Sequence, residues 1–132
     1  EADPSLDVDG LDTANKLVII VIAVLGRHAR LADVDVTGIR SVTPEMQKEA
    51  TSRGEVYKLV ATAKVLEGGS LSLSVRPVSL PATAFLAGMC GWEMGVIFHT
   101  DLFEVISLKI DEGSVVPTSA AVLRDILHCV GR

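Results

Sequence analysis

Cysteine is scarce in this chain. Cys90 and Cys129 are far apart, and neither has a partner at metal-ligand spacing. That excludes a disulfide framework and suits a reducing cytoplasm. Both are expected to act as small buried hydrophobes. His28, His99 and His128 share no helix face or ligand spacing, so no metal is expected. No basic stretch occurs either. Seventeen acidic residues against twelve basic ones leave a net charge of -5, which argues against a nucleic-acid partner. The apolar run Leu17–Leu25 is nine residues long, whereas a bilayer span needs roughly 20. It also lacks the basic n-region of a signal peptide, so no membrane partner is expected. Finally, there is no strand–GxGxxG–helix unit, and the chain cannot itself hold a dinucleotide in the Rossmann manner.

What is present is ample apolar material. Apolar residues make up 48% of 132 positions, enough for one domain spanning residues 1–132 with its own core. Leu11 to Leu25 reads as a helix stopped by Gly26, apolar on all sides beyond Leu17 and therefore expected to be sandwiched. Arg27 to Val36 reads as a polar connector. Thr43-Pro44 is a cap followed by proline at the first helical position, opening a helix to about Arg53. Val56 to Leu66 and Leu71 to Val78 form a hairpin around Glu67-Gly68-Gly69, with Leu71, Leu73 and Val75 on one face. Pro77 and Pro81 are expected to bracket a bend, and Trp92 to pack with its N–H on a carbonyl. Gly95 to His99 and Phe103 to Ile110 form a second strand pair. Pro117-Thr118 starts a last helix running to Val130. About four strands and three helices result, an α+β chain with an open, largely antiparallel or mixed sheet and helices on one face.

The chemistry concentrates in residues 3 to 16, which hold four carboxylates and one lysine in fourteen positions. Asp12 and Lys16 are four apart, one turn along a common helix face. Alone, such a pair is most often an ordinary solvated ion pair. A lysine beside a long apolar run must either snorkel out or rest beside a carboxylate at the core's edge. In the second setting it is suited to proton transfer.

The spacing D-P-x-x-D-V-x-G-x-D-x-x-x-K, here Asp3-Pro4, Asp7-Val8, Gly10, Asp12 and Lys16, resembles the signature of homoserine dehydrogenases. Thr37-Gly38-Ile39 with Val42-Thr43-Pro44-Glu45 continues the likeness. So do Tyr57–Ala61 with Gly68-Gly69, Arg76–Pro81 with Leu86-Ala87, and Pro117–Val122 with Asp125-Ile126. The likeness covers nearly the whole chain in order. It implies the substrate-binding and dimerising portion of an enzyme that interconverts L-homoserine and L-aspartate 4-semialdehyde, on the route to threonine, isoleucine and methionine. The implied fold is similar to the C-terminal domain of glyceraldehyde-3-phosphate dehydrogenase-like enzymes.

By the same likeness, Lys16 and Asp12 fall at the catalytic pair, and Glu1 and Asp7 at substrate-binding positions. NAD or NADP is the implied cofactor, held mainly by a nucleotide-binding domain not included in these residues. Lys16 would exchange the hydroxyl proton, provided it is drawn out of bulk water beside Asp12. No cation for the substrate carboxylate is evident among the acids. Near Asp111–Ser114 the family usually carries a glycine-rich loop beside the cofactor. Here only Gly113 remains as a cofactor-binding candidate, flanked by Asp111 and Glu112, whose charges oppose a phosphate. That loop keeps a second reading open, a non-catalytic domain that binds an amino acid or only oligomerises.

Overall fold

The computed structural model describes residues 3–131, so Glu1 lies outside the described residues. The chain forms two compact units, residues 1–87 and 88–132.

The first unit opens with a single helical turn, α1 (Ser5–Val8), followed by α2 (Leu11–Leu25). Glycines bound α2 at both ends in left-handed backbone, Gly10 at φ +83° and Gly26 at φ +61°. This is the conformation that ends a helix cheaply only without a side chain. The helix therefore has the expected bounds, Leu11 to Leu25, despite the β-branched residues inside it. Ala14, Leu17 and Val21, spaced three and four apart, form its inward stripe. They pack on Val34, Leu73 and Val75, with Leu59, Ala61 and Ala63 at the margin. Each larger aliphatic side chain buried this way contributes about 1.5–3 kcal/mol.

The expected sandwiching of α2 is not met in this chain. Ile19 is 63% exposed, and Ile22 and Val24 are exposed with it. A helix apolar all round has a second face to cover, but within this unit only the side facing the sheet is covered.

Three strands make that sheet in the order β1-β3-β2, with β1 (Val34–Val36), β2 (Glu55–Val65) and β3 (Leu71–Pro81). β2 and β3 form the expected hairpin, from Glu55↔Pro81 to Val65↔Leu71. Leu73 and Val75 face the core, while Ser72 and Arg76 are exposed, as the alternation predicts. The Arg27 guanidinium donates to the Gly69 carbonyl, tying the segment after α2 to the hairpin turn. Between β1 and β2, α3 (Pro44–Ser52) begins at Thr43, whose hydroxyl accepts the Met46 N–H at 3.2 Å.

Two details differ from expectation. The Arg27–Val36 segment is not all connector, because Val34–Val36 pairs parallel with Leu73–Val75. Three residues are too few for periodicity to announce a strand, and only the partner strand defines it. Pro77 does not bend β3 but continues it, opposite Leu59. The parallel ladder ends at Val36↔Val75, so beyond that point β3 is an edge where a missing N–H costs no ladder bond.

The second unit contains β4 (Glu93–Thr100) and β5 (Glu104–Asp111), paired antiparallel, and α4 (Val116–Val130). Among its described residues none is buried. Trp92 is 74% exposed rather than packed. Cys90 and Cys129 are free and exposed, not buried hydrophobes. A two-stranded ribbon with one helix encloses too little space to bury any side chain fully. The described residues thus make five strands and four α-helices, one of each beyond expectation. The α+β class stands, with the strands in a mixed three-stranded sheet and a separate antiparallel pair.

No helix among the described residues is long and apolar enough to cross a membrane.

Candidate functional site

Asp12 and Lys16 lie in the first turns of α2, and Lys16 Nζ is 2.9 Å from Asp12 Oδ2. The four-residue spacing brings them together, and the burial of Leu17 beside Lys16 fixes which way the face turns. Water is not excluded from the pair, however. The Lys16 side chain is 54% exposed and that of Asp12 42%. The expectation that the ammonium is held out of bulk water is therefore not met by this chain's own atoms. Leu17 turns inward, and Lys16 is left on the flank that the sheet does not reach.

The acidic turn that precedes α2 is locally built. Ser5 N–H donates to Asp3 Oδ1 at 3.0 Å. The Ser5 hydroxyl first, and this N–H second, hold the Asp3 carboxyl below its ordinary range. Asp7 is exposed on α1, and its carbonyl accepts the Gly10 N–H at 3.1 Å. Gly10 itself is buried, and a Cβ there would stand 3.2 Å from Val75 and 3.3 Å from Val36. A side chain at that corner would push the start of α2 off the sheet.

Arg40, which the sequence pattern did not single out, and Gly38 complete the turn. Arg40 Nε donates to Asp9 Oδ1 at 2.5 Å, and its terminal nitrogen donates to Ser5 Oγ at 3.3 Å. Asp9 holds the guanidinium above its ordinary pKa, chiefly through this hydrogen bond. Gly38, two residues earlier, lies so close that a Cβ would be 2.5 Å from the Val8 carbonyl oxygen. The available signal was charge balance, since four acids close together call for more than one cation. Nothing in the spacing named Arg40, which is 31 residues from Asp9.

Gly113 belongs to the second unit, just after β5. A Cβ there would meet nothing nearer than Asp111 Oδ1 at 3.9 Å, so no close backbone approach requires glycine. Asp111 and Glu112 precede it, and the first turn of α4 has no side-chain cap. These residues do not fit a pyrophosphate cradle, which needs converging N–H donors without adjacent acids. No three His, Cys, Asp or Glu side chains gather as a metal set among the described residues.

The motif order of the chain is matched by known proteins. The family model "Homoserine dehydrogenase" matches residues 1–127. The chain belongs to the homoserine dehydrogenase family. A homoserine dehydrogenase of Methanocaldococcus jannaschii is 34% identical over 128 residues, covering 97% of this chain and 36% of that protein. The NAD(+)-dependent homoserine dehydrogenase of Pseudomonas canavaninivorans is 30% identical, again over 97% of this chain and 36% of its own length. The crystal structure of Staphylococcus aureus homoserine dehydrogenase at pH 6.0 superposes with a TM-score of 0.85 at 27% identity. That match covers 97% of this chain and 32% of the other. The chain thus spans about a third of the length of the homoserine dehydrogenases it matches, and the family likeness runs through both of its units.

Proposed function

We propose that this chain is the substrate-binding and catalytic portion of a homoserine dehydrogenase that interconverts L-homoserine and L-aspartate 4-semialdehyde with NAD or NADP. The observation that carries this reading is the 2.9 Å Asp12–Lys16 pair at the start of α2, set within a family match over residues 1–127. Oxidising an alcohol to an aldehyde requires a base for the hydroxyl proton, and the reverse requires an acid. Lys16 is that group in both directions, acting on the substrate oxygen. Asp12 keeps the ammonium aimed along the helix flank. Asp7 and Glu1 receive the amino-acid end of the substrate, where carboxylates accept hydrogen bonds from an ammonium.

The dinucleotide is held mainly by a nucleotide-binding portion outside these residues, because the Gly113 loop does not fit it. NAD is supported by the NAD(+)-dependent homoserine dehydrogenase among the relatives, and NADP is the alternative hydride carrier. The open side of Lys16 is where substrate and the nucleotide-binding portion close over the ammonium and exclude water. We place the activity in the cytoplasm, in the synthesis of threonine, methionine and isoleucine, with a homodimer as the working assembly.

The test supplies the nucleotide-binding portion, fused or in trans, and follows NADPH or NADH oxidation with aspartate semialdehyde. Turnover that vanishes in Lys16→Ala, with Asp12→Asn strongly impaired, is the expected result. A folded complex with no turnover would overturn the reading.

A further inference from the structure

The segment Gly38–Arg40 lies outside the proposed catalytic pair, yet it grips the turn that carries Asp7, a proposed substrate-binding residue. Arg40 bridges the two ends of that turn, Ser5 Oγ at 3.3 Å and Asp9 Oδ1 at 2.5 Å. Gly38 presses its backbone on the Val8–Asp9 peptide, leaving no room for a Cβ. Asp7 lies between the two gripped ends. On the other side of the turn, Gly10 is buried against Val36, Leu59 and Val75. The turn is thus pinned at its exit by the core and along its length by the Gly38–Arg40 segment. Its internal bonds are Val8 N–H to Pro4 O at 3.0 Å, Asp9 N–H to Ser5 O at 2.8 Å and Gly10 N–H to Asp7 O at 3.1 Å. One turn of helix is far below the length that holds itself together in water. Its geometry must come from outside.

We propose that Arg40 is a positioning residue for substrate binding: through Asp9 and Ser5 it fixes the α1 turn so that the Asp7 carboxylate meets the amino-acid end of the substrate. This rests on the homoserine dehydrogenase reading above. As a stability element the pair is minor, because both partners are largely exposed and such bridges contribute little. Its weight lies in placement, where a displacement of about 1 Å can cost up to a hundredfold in rate or binding. Lys16 and Asp12 are carried on α2, whose Ala14, Leu17 and Val21 lock into the core without Arg40. The effect of losing Arg40 is therefore confined to the amino-acid substrate and leaves the proton-transfer pair in place.

The test uses the protein joined to its nucleotide-binding portion. Arg40→Gln and Asp9→Asn should each raise KM for homoserine about tenfold, with KM for the dinucleotide unmoved. The double variant should be no worse than either single one, because both remove the same clamp. Arg40→Lys, which can hold Asp9 but not Ser5 as well, should recover part of the loss. Arg53→Gln, which breaks an exposed ion-pair set with Glu49 and Glu55, controls for loss of surface charge and should leave KM unchanged. Hydrogen exchange gives an independent readout: in Arg40→Gln the Val8, Asp9 and Gly10 amides should exchange faster while those of Leu17–Val21 do not.

A costly Arg40→Gln beside a silent Asp9→Asn would overturn positioning, since the guanidinium would then act on the substrate itself. Unchanged exchange in the turn would overturn the clamp. Faster exchange with an unchanged KM would overturn its link to substrate. No turnover in the parent protein would overturn the homoserine dehydrogenase reading, and Arg40's part in binding with it, while exchange would still decide whether the guanidinium fixes the turn.

Discussion

The two compact units use similar apolar material with opposite results. In residues 3–87, Ala14, Leu17, Val21, Val34, Leu73 and Val75 close into a core between α2 and the three-stranded sheet. In residues 88–131 no side chain is buried, although α4 carries Val122, Leu123, Ile126 and Leu127, and β5 carries Val105, Leu108 and Ile110. The difference is one of layers. A helix on three strands has an inside, whereas the second unit half-covers some of its apolar residues and fully buries none of those described. Hydrophobic sequence therefore creates a demand for burial, and the neighbouring elements decide whether it is met.

The largest expected contrast is in stability. Leu17→Ala empties a packed site and should cost about 2–5 kcal/mol in urea unfolding. Leu123→Ala in α4, at an exposed position, should stay within about 0.5 kcal/mol in the isolated chain. Equal losses would erase the distinction between the units. A smaller effect concerns association. The exposed apolar residues of the second unit should make the isolated chain self-associate, and Leu123→Glu should weaken that association in sedimentation velocity. A monodisperse monomer would show that this surface does not drive association.

The smallest effect is in pH dependence, and it has opposite signs in the two units. In the first, the Ser79 hydroxyl at 2.8 Å, and after it Arg53, hold the Glu55 carboxyl below its ordinary 4.5. A lowered folded pKa stabilises above the unfolded value and is lost as pH falls through the folded one, so acid should weaken this unit. In the second, Glu93 at 2.6 Å raises the Lys109 ammonium above its ordinary 10.5. That contribution is complete below the unfolded value and is lost as pH rises through the folded one. Unfolding midpoints across acid and alkaline ranges should therefore show a shallower acid-side slope in Glu55→Gln and a shallower alkaline-side slope in Lys109→Gln. Both groups are solvent-facing, so the slopes should be shallow and fade further in high salt.

Local chemistry was legible wherever a residue type has one good use. Gly26 ended α2, Thr43-Pro44 opened α3, and Glu67-Gly68-Gly69 turned the first hairpin, because left-handed backbone, helix capping and missing N–H groups are properties of single positions. The Asp12–Lys16 pairing was legible for the same reason, since helix pitch alone brings the two side chains together. The strand β1, the unbroken course of β3 through Pro77 and the exposure of Trp92 were not. Each depends on which strand or surface lies alongside, and no local pattern carries that information.

The amino-acid order settled which residues share a helix face, where α2 and α4 start and stop to within a residue, and that acids crowd the approach to Lys16. Those features follow from backbone sterics and period, which act over a few residues. Tertiary structure alone brought Arg40 across 31 residues of chain to Asp9, left half of Lys16 open to water and gave one unit a core and the other none. These outcomes depend on distance and enclosure, which come into being only when remote segments meet.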